Sequence, residues 1–166
     1  MVQLRAKQLA SGPLLSLARA MVRELPVPLI VNDRADVAIL AGAAGVHLGA
    51  DDLPVEQVRA LAPEGFIVGA SVGSDAEIAN TRGADYVGVG PVYSTASKSD
   101  AGDALGPAET VRLIAASGLP GAAIGGITAI NARAVIEAGA HGIAVLSALR
   151  RDPETAAREL RSAIGR

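Results

Sequence analysis

With 166 residues and a formal net charge of −2, the chain is long enough for one buried core, and its charge gives no footprint for nucleic acid or an anionic membrane. It is 50% hydrophobic but only 2% aromatic, so Ala, Val, Ile, Leu and Gly carry the interior, as in packed α/β layers. The absence of cysteine removes disulfides, thiol catalysis and Cys-ligated zinc, and no apolar run approaches the ~18 residues of a membrane span.

The start, Met1-Val-Gln-Leu-Arg-Ala-Lys7, lacks the apolar core of a signal peptide, which predicts a cytoplasmic protein. Between Val2 and Lys7 polar residues alternate with small or apolar ones. A strand over Val2–Arg5 is predicted to put Gln3, Arg5 and Lys7 on one face, an amide and two cations that suit a phosphate or pyrophosphate. Further strands are predicted at Pro28–Val31, Gly45–Leu48, Phe66–Ala70, Tyr86–Val89, Ala122–Ile124 and Gly142–Leu146. Helices are predicted at 13–25, 34–41, 54–62, 75–82, 107–117, 129–138 and 153–164. Ser74-Asp-Ala-Glu77 fits a capping box, and Pro13, Pro54, Pro107 and Pro153 suit first-turn positions.

Strand–helix alternation with short connections predicts a parallel sheet with right-handed crossovers. Seven such units are predicted, in a single domain spanning 1–166. The natural home for the series is a TIM-type (β/α) barrel, which has eight units and usually takes about 200 residues or more. The polar residues that could do chemistry follow the strands, at the end where barrel active sites form.

Asn32, Asp33 and Arg34 follow one strand, and Gly49-Ala-Asp51-Asp52 follow the next. Asp33 with Asp51 or Asp52 can either hold Mg²⁺ together or cap the helices that follow. Ser71 either donates to a phosphate or caps a turn. The stretch Gly90–Gly106 is long for a βα loop and reads as a lid, with Thr95, Ser97 and Lys98 offering two hydroxyls and a cation. Gly125-Gly126 and Leu146-Ser147 follow the last two strands, where barrels often bind phosphate. His47 is read as a barrel-lining or satisfied core residue. His141 is placed in a turn at the opposite end, and neither histidine is assigned a catalytic role.

Gln3-Leu-Arg-Ala-Lys7, Val31-Asn-Asp-Arg34, Gly45-Val-His-Leu-Gly49 with Asp51-Asp-Leu-Pro54, Gly90–Lys98, Ala123-Ile-Gly-Gly-Ile-Thr128 and Gly142–Ser147 together resemble the thiamine-phosphate synthase family, across essentially the whole chain. The resemblance implies a barrel enzyme that joins a hydroxymethylpyrimidine diphosphate to a thiazole phosphate. Pyrophosphate leaves first, and the thiazole nitrogen then captures the pyrimidine cation. It also implies that Gln3, Arg5, Lys7, Asn32, Ser71 and Lys98 hold the diphosphate, with Arg5, Lys7, Ser71 and Lys98 acting on the departing group. Asp33 and Asp52 would hold Mg²⁺. Thr95–Ser97, Gly125, Gly126, Leu146 and Ser147 would hold the thiazole phosphate.

The chain departs from the family in two places. Ala50 stands where the family commonly has glutamine, and the family's first strand–helix unit has no counterpart ahead of Gln3. The barrel is therefore expected to be N-terminally short: either its edge closes as a seven-stranded or distorted barrel, or another copy covers it in a homo-oligomer, or the chain is a truncated product. The alternatives to the synthase are a thiazole tautomerase and a non-catalytic phosphate-ligand binder.

Overall fold

A computed structural model describes residues 1–95 and 102–165. The fold is α/β, of the (β/α)-barrel type. Seven strands are found among the described residues, as the sequence predicts. They are β1 (Val2–Leu4), β2 (Leu29–Asn32), β3 (Gly45–Leu48), β4 (Ile67–Val72), β5 (Tyr86–Val89), β6 (Gly121–Ile124) and β7 (Gly142–Ala144). The helices are α1 (Ser11–Glu24), α2 (Ala35–Ala41), α3 (Val55–Leu61), α4 (Asp75–Ile78), α5 (Gly106–Ser117), α6 (Ala132–Glu137) and α7 (Pro153–Ala163).

The backbone groups into two compact units. One holds Met1–Ser71 and Asn80–Asp85, and the other holds Val72–Ala79 and Tyr86–Arg166. Neighbouring strands within each unit are parallel and follow chain order, β1-β2-β3-β4 in the first and β5-β6-β7 in the second.

In the first unit the register explains why one sheet face is apolar and the other is not. Leu4, Val31, Val46 and Val68 pair in succession, share a face, and are all buried. Leu14 and Ala18 of α1, Val37 and Ala38 of α2, and Val55 and Val58 of α3 complete this core. Gln3, Ile30, Gly45 and Ile67 pair on the other face, and Asn32, His47 and Gly69 lie one step further along it. Gly45 is obligatory there, because a Cβ would sit 2.0 Å from the Ile67 carbonyl oxygen. At the opposite strand end Arg59 donates to the carbonyls of Phe66 (2.6 Å) and Gly83 (3.0 Å) and to Asp85 (2.5 Å). Asp85 also accepts from the Val68 N–H at 2.7 Å.

The second unit packs Val72, Val87, Val89, Ala123 and Ile127 against Leu113 and Ile114 of α5, Val135 of α6 and Leu160 of α7.

Several boundaries differ from the sequence reading. β1 ends at Leu4 because it pairs with β2 only through Val2–Leu4, and the Ala6 carbonyl then accepts from the Leu9 N–H (3.0 Å) to turn the chain into α1. Gln3, Arg5 and Lys7 therefore do not form one strand face: Gln3 is in the strand, Arg5 follows it, and Lys7 is in the turn. β4 runs to Val72, whose carbonyl accepts from Gly90 N–H (3.3 Å), so Ser71 lies within the strand rather than after it. The Ser74 hydroxyl makes no cap; the Glu77 carboxylate accepts from Gly73 N–H at 2.7 Å, so only the acidic half of the predicted box forms, displaced by one residue. β7 ends at Ala144, and Ser147–Leu149 form a 3₁₀ turn.

Candidate active site

In the first unit the strand ends bring an acidic pair and a cation together. Asp33 leaves β2 with φ 65°, a left-handed conformation that costs most non-glycine residues about 1–2 kcal/mol. Two short bonds hold it there: Asp33 N–H donates to the His47 carbonyl, and Arg34 N–H donates to the Asn32 carbonyl, both at 2.8 Å. The Asp33 carboxylate lies 3.3 Å from the Lys7 ammonium.

Asp52 folds back so that Gly49 N–H donates to its carboxylate at 2.6 Å. Burial is the largest influence on Asp52 and pushes its carboxyl up. The Gly49 N–H opposes this, the neighbouring Asp33 carboxylate pushes the same way as burial, and Lys7 pulls it down. Neither aspartate caps the helix that follows: α2 starts from Arg34 and α3 from Pro54, both without a side-chain cap. The cap that the sequence offered as one use of these residues does not form.

A cleft of about 500 Å³ opens here, lined by Asp33, Arg34, Asp36, Asp51, Asp52 and Leu53 among others. Arg34 does not neutralise the acidic pair. It makes a two-point contact with Asp36 (2.8 and 2.6 Å) and donates to the Ser11 hydroxyl at 3.0 Å. That contact holds the Asp36 carboxyl below its ordinary range. Asp33 and Asp52 thus share Lys7, a local charge balance that suits a further cation with oxygen preference.

Asn32 ends β2 in register with His47. Ser71 lies two residues beyond Gly69, the partner of His47, on the same face, and its hydroxyl is 3.0 Å from His47 Nε2. Sequence reasoning left His47 unassigned and missed this contact. The period-two spacing of Gly45 and His47 puts them on one face, but the pairing that brings His47 to Ser71 lies in the sheet register and is not legible in the sequence. Gln3 and Arg5 are exposed at the end of β1.

In the second unit the turns after β5 and β6 interlock. Val92 N–H donates to the Ile124 carbonyl (2.9 Å) and Tyr93 N–H to the Gly125 carbonyl (3.1 Å). Gly125 and Gly126 have φ 100° and 64°, and a Cβ on Gly126 would meet the Tyr93 side chain at 2.7 Å and the Ser94 carbonyl at 2.8 Å. The pair is glycine because both the backbone angle and the space demand it. Leu146 and Ser147 are exposed at the end of β7, and Thr95 is half-buried beside Ser94. Ser97 and Lys98 lie outside the described residues.

These features define an α/β enzyme of the barrel class. It carries a carboxylate pair at its strand ends in one unit and a glycine turn suited to an anionic group in the other. The family described as thiamine monophosphate synthase matches residues 1–149. A thiamine-phosphate synthase of Methanoculleus marisnigri is 52% identical, with 98% of this chain and 81% of that protein covered. One of Methanospirillum hungatei is 47% identical, covering 94% of this chain and 78% of that protein. Among solved structures, the thiamine phosphate pyrophosphorylase from Pyrococcus furiosus superposes with a TM-score of 0.86 at 36% identity. It covers 98% of this chain and 81% of that one.

The chain belongs to the thiamine monophosphate synthase family. Its activity is that of a thiamine-phosphate synthase, a transferase of thiamine biosynthesis. No helix among the described residues is long and apolar enough to cross a membrane.

Proposed function

We propose that the chain couples hydroxymethylpyrimidine diphosphate with thiazole phosphate, giving thiamine phosphate and pyrophosphate, and that it uses Mg²⁺ held by Asp33 and Asp52. The observation that carries this reading is the Lys7–Asp33 contact beside Asp52, with Asp33 held in a left-handed backbone conformation. Strain of this kind is kept where a side chain must be aimed at a ligand.

The donor set fits the ion. Mg²⁺ takes oxygen ligands, is commonly bound through one or two carboxylates, and fills its remaining positions with water and substrate phosphate. When bound, the ion supplies charge to neutralise the departing diphosphate.

The rest of the chemistry belongs to the chain. Arg5 and Lys7, with Lys98, stabilise the negative charge that grows as the C–O bond to pyrophosphate breaks. Gln3 and Asn32 hold the diphosphate substrate. Ser71, oriented by His47, donates to it. Gly125, Gly126, Leu146, Ser147 and the Thr95–Ser97 segment fix the thiazole phosphate, so that the ring nitrogen is delivered to the pyrimidine methylene without a bimolecular search. No general base is needed, because the thiazole nitrogen attacks through its lone pair. The fold is proposed to act as one barrel domain, with another copy of the chain as a partner at its edge.

The test is release of pyrophosphate from the two substrates with and without Mg²⁺. Magnesium-dependent release that needs both substrates supports the reading. Isomerisation of a thiazole carboxylate phosphate without release would indicate a tautomerase, and binding without turnover would indicate a non-catalytic binder.

A further inference from the structure

We propose that Asn131 is a positioning residue for the thiazole phosphate. It acts by holding the Gly125–Gly126 turn in the one shape that can take the phosphate. The inference rests on the reading that this turn binds that phosphate, and it adds a residue that neither the sequence motifs nor the turn's own glycines supply.

Asn131 occupies the position just before α6, where an Asn side chain would ordinarily cap the helix, but it makes no side-chain cap there. Both ends of its amide turn back instead. Its Oδ1 accepts from the Thr128 N–H at 2.8 Å, and its Nδ2 donates to the Gly126 carbonyl at 3.1 Å. Only an amide of this length can accept from one backbone group and donate to another two residues away. An aspartate at the same place can only accept.

The target of this clamp is the least self-sufficient segment of the unit. Two successive glycines at positive φ lose more freedom on ordering than any other pair, so something outside them must fix their shape. On one side they are wedged against the backbone of Pro91, Tyr93 and Ser94. The residue that follows them, Ile127, is 3% exposed and anchored in the core. Asn131 closes the remaining side through the Gly126 carbonyl. With that bond gone, the Gly126 peptide is free to rotate, and the N–H groups around it no longer keep the direction a phosphate needs.

The experiment is steady-state kinetics of Asn131→Ala and Asn131→Asp, with KM determined separately for each substrate and Ser147→Ala as a reference. Asn131→Ala is expected to raise the KM for thiazole phosphate roughly tenfold, as loss of two hydrogen bonds allows. The KM for the pyrimidine diphosphate and the kcat at saturation should stay within about twofold. A merely structural role would lower the active fraction, and so kcat, while leaving both KM values alone. Asn131→Asp keeps the acceptor for Thr128 N–H and so preserves the turn into α6, but it cannot donate to Gly126. It too should raise the thiazole phosphate KM, which keeps the proposal testable if the alanine variant does not fold. A wild-type KM for thiazole phosphate in Asn131→Asp, or in a folded Asn131→Ala, overturns the inference. If Ser147→Ala raises that KM while both Asn131 variants leave it unchanged, the phosphate reading stands and only the role of Asn131 falls. If none of the three moves it, both fall.

Discussion

The Lys7 ammonium and the Asp33 carboxylate lie 3.3 Å apart, Lys7 in the turn that follows β1 and Asp33 directly after β2, two strands that pair side by side. The contact is half exposed, with the two side chains 50% and 23% accessible, so as an isolated ion pair it contributes little to stability. Its value lies in what it sets up: a cation that touches one member of a carboxylate pair can turn to a phosphate when a metal takes its place beside the carboxylates. Lys7→Gln is therefore expected to leave thermal stability nearly unchanged while lowering kcat/KM by about 100-fold or more, the range that removal of one charge-stabilising donor produces. A variant with near-wild-type turnover would remove Lys7 from the site.

Asp33 carries two properties that substitution can separate. Asp33→Gly removes the carboxylate but welcomes the 65° φ, whereas Asp33→Ala removes the carboxylate and keeps the strain. Both should lose Mg²⁺-dependent turnover by at least about 100-fold, beyond the 10–100-fold typical of partners outside the metal's own ligands. In denaturant titration the glycine variant should be the more stable of the two by about 1 kcal/mol. Equal stability would show that the backbone relaxes and that the left-handed angle is not enforced.

Arg34 ties the start of α1 to the turn after β2 through Ser11 and Asp36. Since Lys7 lies in the loop just before α1 and Asp33 lies beside Arg34, breaking this tie should loosen the acidic pair's hold on Lys7. Arg34→Lys keeps the charge but loses the two-point contact. It should weaken Mg²⁺ affinity in direct titration about tenfold, and Ser11→Ala should do so by less. Unchanged Mg²⁺ affinity in Arg34→Lys would reduce the tie to a surface contact.

Gly126→Ala meets two obstacles at once, a φ of 64° and side-chain and backbone atoms at 2.7–2.9 Å. The angle alone costs about 1–2 kcal/mol, and the contacts with Tyr93 and Ser94 force the turn to shift. The thiazole phosphate KM should rise more steeply than in any Asn131 variant, with a lowered melting temperature. A wild-type KM would place the phosphate elsewhere.

Asp152 caps α7, accepting from Thr155 N–H at 3.1 Å, and that bond is the largest cause of its carboxyl lying below the ordinary 3.8. A depressed folded-state pKa means that the stabilisation is complete above the unfolded value and is lost as pH falls through the folded one. Asp152→Asn keeps an oxygen acceptor that does not titrate. Its melting temperature should therefore fall less than the wild type's on the acid side, with the two curves converging below the carboxylate range. Parallel curves would contradict the cap.

The sequence by itself determined the succession of seven strand–helix units and the strand ends that carry the candidate site residues, because alternation and glycine stops are local properties written every few residues. It also identified Asp33, Asp52 and Gly126 as residues of interest, since short motifs state residue type and order. It could not say whether the two aspartates cap the helices that follow. The cap is absent because Gly49 N–H claims Asp52 and because the left-handed turn swings Asp33 off the start of α2. Nor could it show that Lys7 leaves the strand, that Ser71 stays within one, or that His47 and Asn131 reach back to Ser71 and Gly126. Each of those depends on sheet register and on which backbone groups are left to satisfy, and these exist only once distant segments have been brought together.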